Sequence, residues 1–216
     1  MPLAAYILIR RAIAAAAAGT LSEETLADAM NPSAVPAQPV DRYTDVAIAL
    51  HWLLAVSLLA AFCVGLYMAD LKLSPTRIRL FNWHKWAGIS ILVLSAFRLG
   101  WRLAHRPPAE PSYLPAWQRR LAAAVHHLLY LLFFLVPIAG WAHSSAAGFP
   151  VVWFGIIHLP DLVGVDKQLA ETLADVHSAL AFTLGGLVLL HVAGALQHRF
   201  VLKDDIVQRM LPGRRP

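Results

Sequence analysis

Ten histidines are spread along this chain, and imidazole is the side chain that most readily binds a transition metal or moves a proton near neutral pH. His177 and His191 lie 14 residues apart in a single apolar run. On a helix that separation is about 21 Å of rise, and 14 steps of about 100° end about 40° short of four full turns. Both rings therefore leave the helix on one face, one near each end of the run. His51 and His84 occupy two further apolar runs, and His126, His127 and His143 fall in or at the end of a third. An isolated histidine near a helix end often only hydrogen-bonds at an interface, but ionisable groups inside spanning segments are costly and mark function by default. The pattern across helices is what points to a site.

The elements that must position these rings are four apolar runs: Val46–Ala69, His84–Trp101, Leu121–Trp141 and Ala174–Gln197. Each is close to the ~20 residues a spanning helix needs. Only 14% of the 216 residues are charged, against about 25% in a soluble domain. Trp83, Trp86, Trp101, Trp117 and Trp141 sit near run ends, as an interfacial aromatic belt would. Gly148–Ile157 is apolar but short and reads as a loop or interfacial segment. The expected fold class is an all-α, integral membrane four-helix bundle in the lipid bilayer.

Residues 1–40 stand apart from a membrane domain over 41–212. Arg10-Arg11 precedes the alanine-rich stretch Ala12–Ala18, followed by Ser22-Glu23-Glu24 and by Pro32, Pro36 and Pro39. Three alternatives fit: a disordered extension, a mis-assigned start with translation beginning at Met30, or a cleaved signal. The net charge of +5 comes without a basic stripe interleaved with aromatics, so nucleic acid is not an expected partner. With the termini on one side, ten Lys and Arg between Arg42 and Arg215 fall on that side. Five, Lys72, Arg77, Arg79, Lys85 and Lys167, fall on the other. The positive-inside rule then makes both termini cytoplasmic, although the first outer loop is unexpectedly basic.

Depth assigns partners to the histidines. The first helix runs inside to outside and the fourth returns, so His51 and His191 share an inner depth. The second helix starts at the outer surface with His84, level with His177. Two pairs result, His51 with His191 and His84 with His177. Gly65 is 14 residues after His51, on the same face and at the depth of the outer pair, where it removes a side chain from the space a flat macrocycle would need. Gly88, one turn after His84, leaves room in the same way; close helix packing through small residues is the alternative for both. Arg98 is 14 after His84, at the inner depth. It either pairs with an anionic group such as a haem propionate or snorkels to the surface.

Zinc favours closely spaced ligands in tetrahedral groups, whereas these histidines come singly from separate helices. Two imidazoles facing each other across a bundle match the axial positions of haem iron, a ligation suited to electron transfer. Cys63 is the sole cysteine and no C-x-x-C-H is present, so haem must be held non-covalently. The expectation is two haems bound between helices, with His51, His84, His177 and His191 as iron ligands and Arg98, Gly65 and Gly88 completing the cofactor sites. His126 with Tyr130, Phe134 and Pro137 forms a stripe that is either core packing or the wall of a quinone site. His198 reads as interfacial, in reach of a propionate, and His105 and His158 as loop residues.

These residues resemble the bacterial cytochrome b561 family of di-haem membrane cytochromes b. The resemblance covers about Asp41–Pro212. It rests on Arg42-Tyr43-Thr44 before Ala49-Leu50-His51-Trp52, on His84 with Gly88-Ile89-Ser90, on Arg98, and on His126 with Tyr130 and Pro137–Gly140. It continues through His177 to the most specific stretch, His191 through His198-Arg199-Phe200, Lys203-Asp204 and Arg209-Met210-Leu211-Pro212. The resemblance implies two b-type haems with histidine ligands on the first, second and fourth helices. It also implies electron transfer between a donor at one membrane surface and the quinone pool. Some members oxidise superoxide at the outer surface and reduce ubiquinone, so the enzymatic form of this expectation is a superoxide:quinone oxidoreductase. A basic outer loop would draw a small anionic donor toward the outer haem, or simply bind lipid headgroups. Two rival readings are an anchor subunit taking electrons from a hydrogenase-like redox partner protein, and a non-redox transporter or scaffold.

Overall fold

A computed structural model describes residues 42–105, 107–109 and 113–213. The N-terminal extension, the Met30 start and the contributions of Arg106, Arg214 and Arg215 to the charge count lie outside the described residues.

Four long helices account for most of the described chain: α1 Asp45–Ala69, α2 Pro75–Ala104, α3 Ala116–Ala146 and α4 Lys167–Leu196. All four are long and apolar enough to cross a membrane, and together they form a four-helix membrane bundle. Helix starts follow local chemistry. The side chains of Thr44, Ser74 and Asp166 accept hydrogen bonds from the backbone N–H groups of Ala47, Arg77 and Leu169, satisfying donors that the first turn leaves free. Pro75, at the first helical position, suits a helix start because its missing N–H has no partner there.

α2 begins nine residues before the expected apolar run, because the Ser74–Pro75 cap starts a turn whose polar residues Thr76, Arg77 and Arg79 hide it from hydropathy. α3 and α4 also extend beyond the apolar limits, to Ala116 and Ala146 and back to Lys167. Gly148–Ile157 is more than a loop. Val152–Trp153 pairs antiparallel with Ile157–His158 as β1 and β2, closed by a turn in which Phe154 and Gly155 take φ of 52° and 73°. This hairpin lies on α2, with the Trp86 indole donating to the Val152 carbonyl at 2.7 Å and the Trp153 indole to Ser90 Oγ at 3.2 Å.

The bundle is apolar both inside and outside. Val125, Leu129, Leu132 and Leu184 are buried together, with Leu58, Phe133, Val136, Leu180, Leu187 and Val188 packed around them. The outward residues are equally apolar: Leu59 is 67% exposed and Leu189 72%. In water such surface would drive aggregation, but in lipid it is the expected solvent-facing side. α3 packs closely on α4, α1 on α2 and α2 on α3. The backbones of α1 and α2 barely approach α4.

Both described ends of the chain meet on one face, termed here the terminal face. The Arg42 guanidinium donates to the Leu211 carbonyl at 2.8 Å, and the Trp52 indole to the Met210 carbonyl at 2.8 Å. The α1–α2 turn and the β-hairpin lie at the opposite, distal face.

Candidate functional site

The bundle brings the histidines together in two layers. His84 of α2 and His177 of α4 have ring centres 6.0 Å apart, with planes at 87°. His51 of α1 and His191 of α4 have centres 6.1 Å apart, with planes at 67°. Leu184, seven residues from each α4 histidine, belongs to the buried apolar cluster that separates the layers. Each pair joins helices whose backbones stay apart, so the imidazoles are the groups that reach across.

Glycines shape the distal layer. A Cβ at Gly65 would lie 3.2 Å from His84 Cε1, and one at Gly140 would lie 2.9 Å from His177 Cε1 and 3.0 Å from its Nδ1. Only glycine lets each ring lie this close to the facing helix. Gly88 instead faces Pro137 of α3, where a Cβ would make an ordinary 3.9 Å contact. His177 donates from Nδ1 to the Val136 carbonyl at 2.9 Å, which fixes its tautomer and leaves the Nε2 lone pair unused by that bond.

The terminal layer is more crowded. His126 of α3 lies with its ring centre 5.2 Å from that of His191, and its Nδ1 donates to the Ala122 carbonyl at 2.7 Å. Arg98 donates to the Ala47 carbonyl at 3.0 Å and approaches His51 Nδ1 at 3.3 Å. A guanidinium has no acceptor, so in this contact His51 Nδ1 accepts. The guanidinium carbons of Arg98 and Arg102 lie 6.0 Å and 5.6 Å from the centre of the Tyr130 ring. Arg98, Arg102 and Tyr130 line a narrow cleft with Tyr43, Thr44 and Trp101.

Other histidines are held by backbone. His127 and His143 donate from Nδ1 to the carbonyls of Ala123 and Ala170 at 2.7 Å and 2.9 Å. His105 stacks on Trp101 with ring centres 4.0 Å apart, and His158 lies in β2. Spacing alone did not reveal that His126 meets His191. Depth would have, since His126 is ten residues into a helix that starts at the terminal face. Gly140 entered only as part of the family-like Pro137–Gly140 stretch.

Among the described residues no group of three or more His, Cys, Asp and Glu is arranged to hold a metal ion. Haem fits the donors better. Imidazole nitrogens bind first-row metals at about 2.0–2.1 Å, so two imidazoles on opposite sides of one metal place their ring centres about 6.3 Å apart. Both pairs lie near that separation, and the glycines Gly65 and Gly140 flank the distal one.

The family model described as prokaryotic cytochrome b561 matches residues 42–213, nearly the whole described chain. The chain belongs to the prokaryotic cytochrome b561 family. Cytochrome b561 homolog 2 of Escherichia coli (strain K12) is 35% identical over 174 residues, covering 79% of this chain and 92% of that protein. Probable superoxide oxidase CybB of Yersinia pestis is 32% identical over 180 residues, covering 81% and 98%. Cytochrome b561 homolog 1 of Escherichia coli (strain K12) is 27% identical over 180 residues, covering 82% and 100%. As a cytochrome b561, the protein is a multi-pass membrane electron-transfer protein of a haem b-binding family.

Proposed function

We propose that this cytochrome b561 carries two haem b groups, one between His84 and His177 and one between His51 and His191, and passes electrons from a donor at the distal face to a quinone. The observation that carries this reading is the pair of histidine contacts near 6 Å, one on each side of an apolar layer. Haem held by these histidines would supply reversible one-electron transfer. The protein residues orient the rings, exclude water from the core and set the charge around each site.

Arg98 has a specific part in this reading. Coordination through Nε2 requires the His51 proton on Nδ1, which cannot face a guanidinium. Were haem held there, Arg98 would turn from His51 to an anion, and a propionate would be the one at hand. The Arg98–His51 contact is long at 3.3 Å, which favours such a change of partner.

The donor we favour is superoxide, with ubiquinone as acceptor. Lys72, Arg77, Arg79 and Lys85 make the distal end of the α1–α2 hairpin basic, and a cationic surface raises the encounter rate of a small anion. Lys85 is anchored toward the carbonyls of Phe149 and Pro150, at 3.5 Å and 3.3 Å, next to His84. Probable superoxide oxidase CybB is a relative by sequence. The quinone is placed at the terminal face, where Tyr43, Arg98, Arg102 and Tyr130 bring aromatic and basic groups together, with the termini on the cytoplasmic side. A reduced-minus-oxidised spectrum with haem and protein quantified tests the core of this function. Two haem b per chain are expected; a chain without a haem b alpha band overturns it.

A further inference from the structure

His51 of α1 meets His191 of α4, yet α1 packs closely on α2 while its backbone barely approaches α4. Side chains join α1 to α4 at mid-depth, where the Phe62 and Phe182 rings meet edge to face with centres 5.8 Å apart. From Phe62 to His51 is eleven residues, about 16 Å of helix. Over that length a small tilt of α1 would carry the His51 ring out of line with its partner.

The chain beyond α4 spans this gap. After Leu196 it widens into a π-helical turn, Gln197–Leu202, closed by Lys203 with φ 53° and ψ 37°. Turns of this kind are uncommon and often mark functional positions. The chain then doubles back, so that Asp204 N–H reaches the His198 carbonyl at 3.2 Å. Asp204 Oδ2 lies 2.7 Å from His198 Nδ1 and accepts the Tyr113 hydroxyl at 2.7 Å, and the Arg209 guanidinium donates to the Ala109 carbonyl at 2.8 Å. Held in this way, the segment offers three successive carbonyls to α1 and the residues before it. That of Arg209 accepts the Tyr43 N–H at 3.4 Å, that of Met210 the Trp52 indole at 2.8 Å and that of Leu211 the Arg42 guanidinium at 2.8 Å. Trp52 follows His51 in sequence, and their rings meet edge to face with centres 5.5 Å apart. The indole that grips Met210 therefore also lies against the imidazole.

We propose that residues 203–211 form a clasp that keeps His51 in line with His191, and that Trp52 is its positioning residue. The proposal rests on the reading of the chain as a two-haem cytochrome. A site built from side chains of two helices needs those helices at a fixed spacing. Tying α1 to the continuation of α4 sets that spacing in advance and leaves less order to be gained on binding. The distal pair is set by other means, through Gly65, Gly140 and the Val136 carbonyl. Loosening the clasp should therefore disturb the terminal site alone.

The test uses the full-length protein purified with its haem. Trp52→Phe keeps an aromatic ring and removes the N–H; Arg42→Met removes the neighbouring donor and keeps a long side chain. Each variant is mixed with excess apomyoglobin to follow haem release, and the oxidised haems are observed by low-temperature electron paramagnetic resonance. One haem per chain should leave about 3- to 10-fold faster, the factor expected for one lost hydrogen bond. Its resonance should shift as the two imidazoles change their mutual angle, while the other haem keeps its wild-type rate and signal. His51→Ala identifies the terminal signal by its loss. Trp153→Phe, which removes an indole donor at the distal hairpin, should leave that signal unmoved. Wild-type release and resonances in both clasp variants would overturn the clasp alone. Equal acceleration of both haems, or a terminal signal that also moves in Trp153→Phe, would do the same. A spectrum unchanged in His51→Ala would overturn the two-haem reading and the clasp with it.

Discussion

At the residue scale, the imidazoles divide by what holds their Nδ1 atoms. His177 donates to a backbone carbonyl of the neighbouring helix, which presents its Nε2 across the bundle. His126 donates within its own helix, to Ala122, yet lies closer to His191 than His51 does. Replacing His51, His84, His177 or His191 with alanine should remove one haem each, whereas His126→Ala should retain both, as measured by haem per protein and reduced-minus-oxidised spectra. Loss of a haem in His126→Ala would reassign the terminal site to His126 and His191. Gly140 gives a sharper test, because its added methyl would meet His177 at 2.9 Å. Gly140→Ala should displace that ring and lower the haem content of the distal site alone, while Gly88→Ala, with 3.9 Å to spare, should leave both sites filled.

At the element scale, the C-terminal segment after α4 behaves as a clasp across the terminal face. Burial alone would raise the Asp204 carboxyl, but hydrogen bonds from His198, Tyr113 and the Ile206 N–H outweigh it and hold the group below its ordinary value of 3.8. Burial and the bond to Asp204 push the Tyr113 phenol up to about 12. A carboxylate with a depressed pKa contributes stability that is complete above its unfolded value and is lost as pH falls through the folded one. The Asp204 contribution should therefore persist at neutral pH and disappear only below the usual carboxylate range. Asp204→Asn should cost about 1–2 kcal/mol at pH 7, and thermal unfolding in detergent at pH 7 and at pH 3 should show the difference from wild type shrinking at the lower pH. The sequence marked Lys203-Asp204 as part of a family-like stretch, but the π-helical turn that brings Asp204 back onto His198 has no periodic signature. Hydropathy also placed the start of α2 too late, because a capped, polar first turn looks like loop.

At the scale of the whole molecule, the bundle arranges two histidine layers along one axis and gives them different surroundings. The distal layer lies under a basic turn; the terminal layer lies beside two arginines, an aromatic cleft and the His198 cluster. That asymmetry supports a direction of electron flow from the distal to the terminal face. Neutralising Lys72, Arg77, Arg79 and Lys85 together should lower the rate of superoxide-driven haem reduction and weaken its dependence on salt, with haem content unchanged. Equal rates and equal salt dependence would remove the steering role. The sequence by itself determined the four spans, because lipid demands long apolar helices, and the candidate pairs, because a helix of fixed pitch turns a 14-residue spacing into a shared face at two depths. Only the tertiary structure decided what surrounds each ring. That His126 joins His191, that Gly140 rather than Gly88 lies against an imidazole, and that Asp204 holds His198 all depend on how helices rotate and how the chain bends back. Those are properties of packing between distant segments, which periodicity within one segment does not encode.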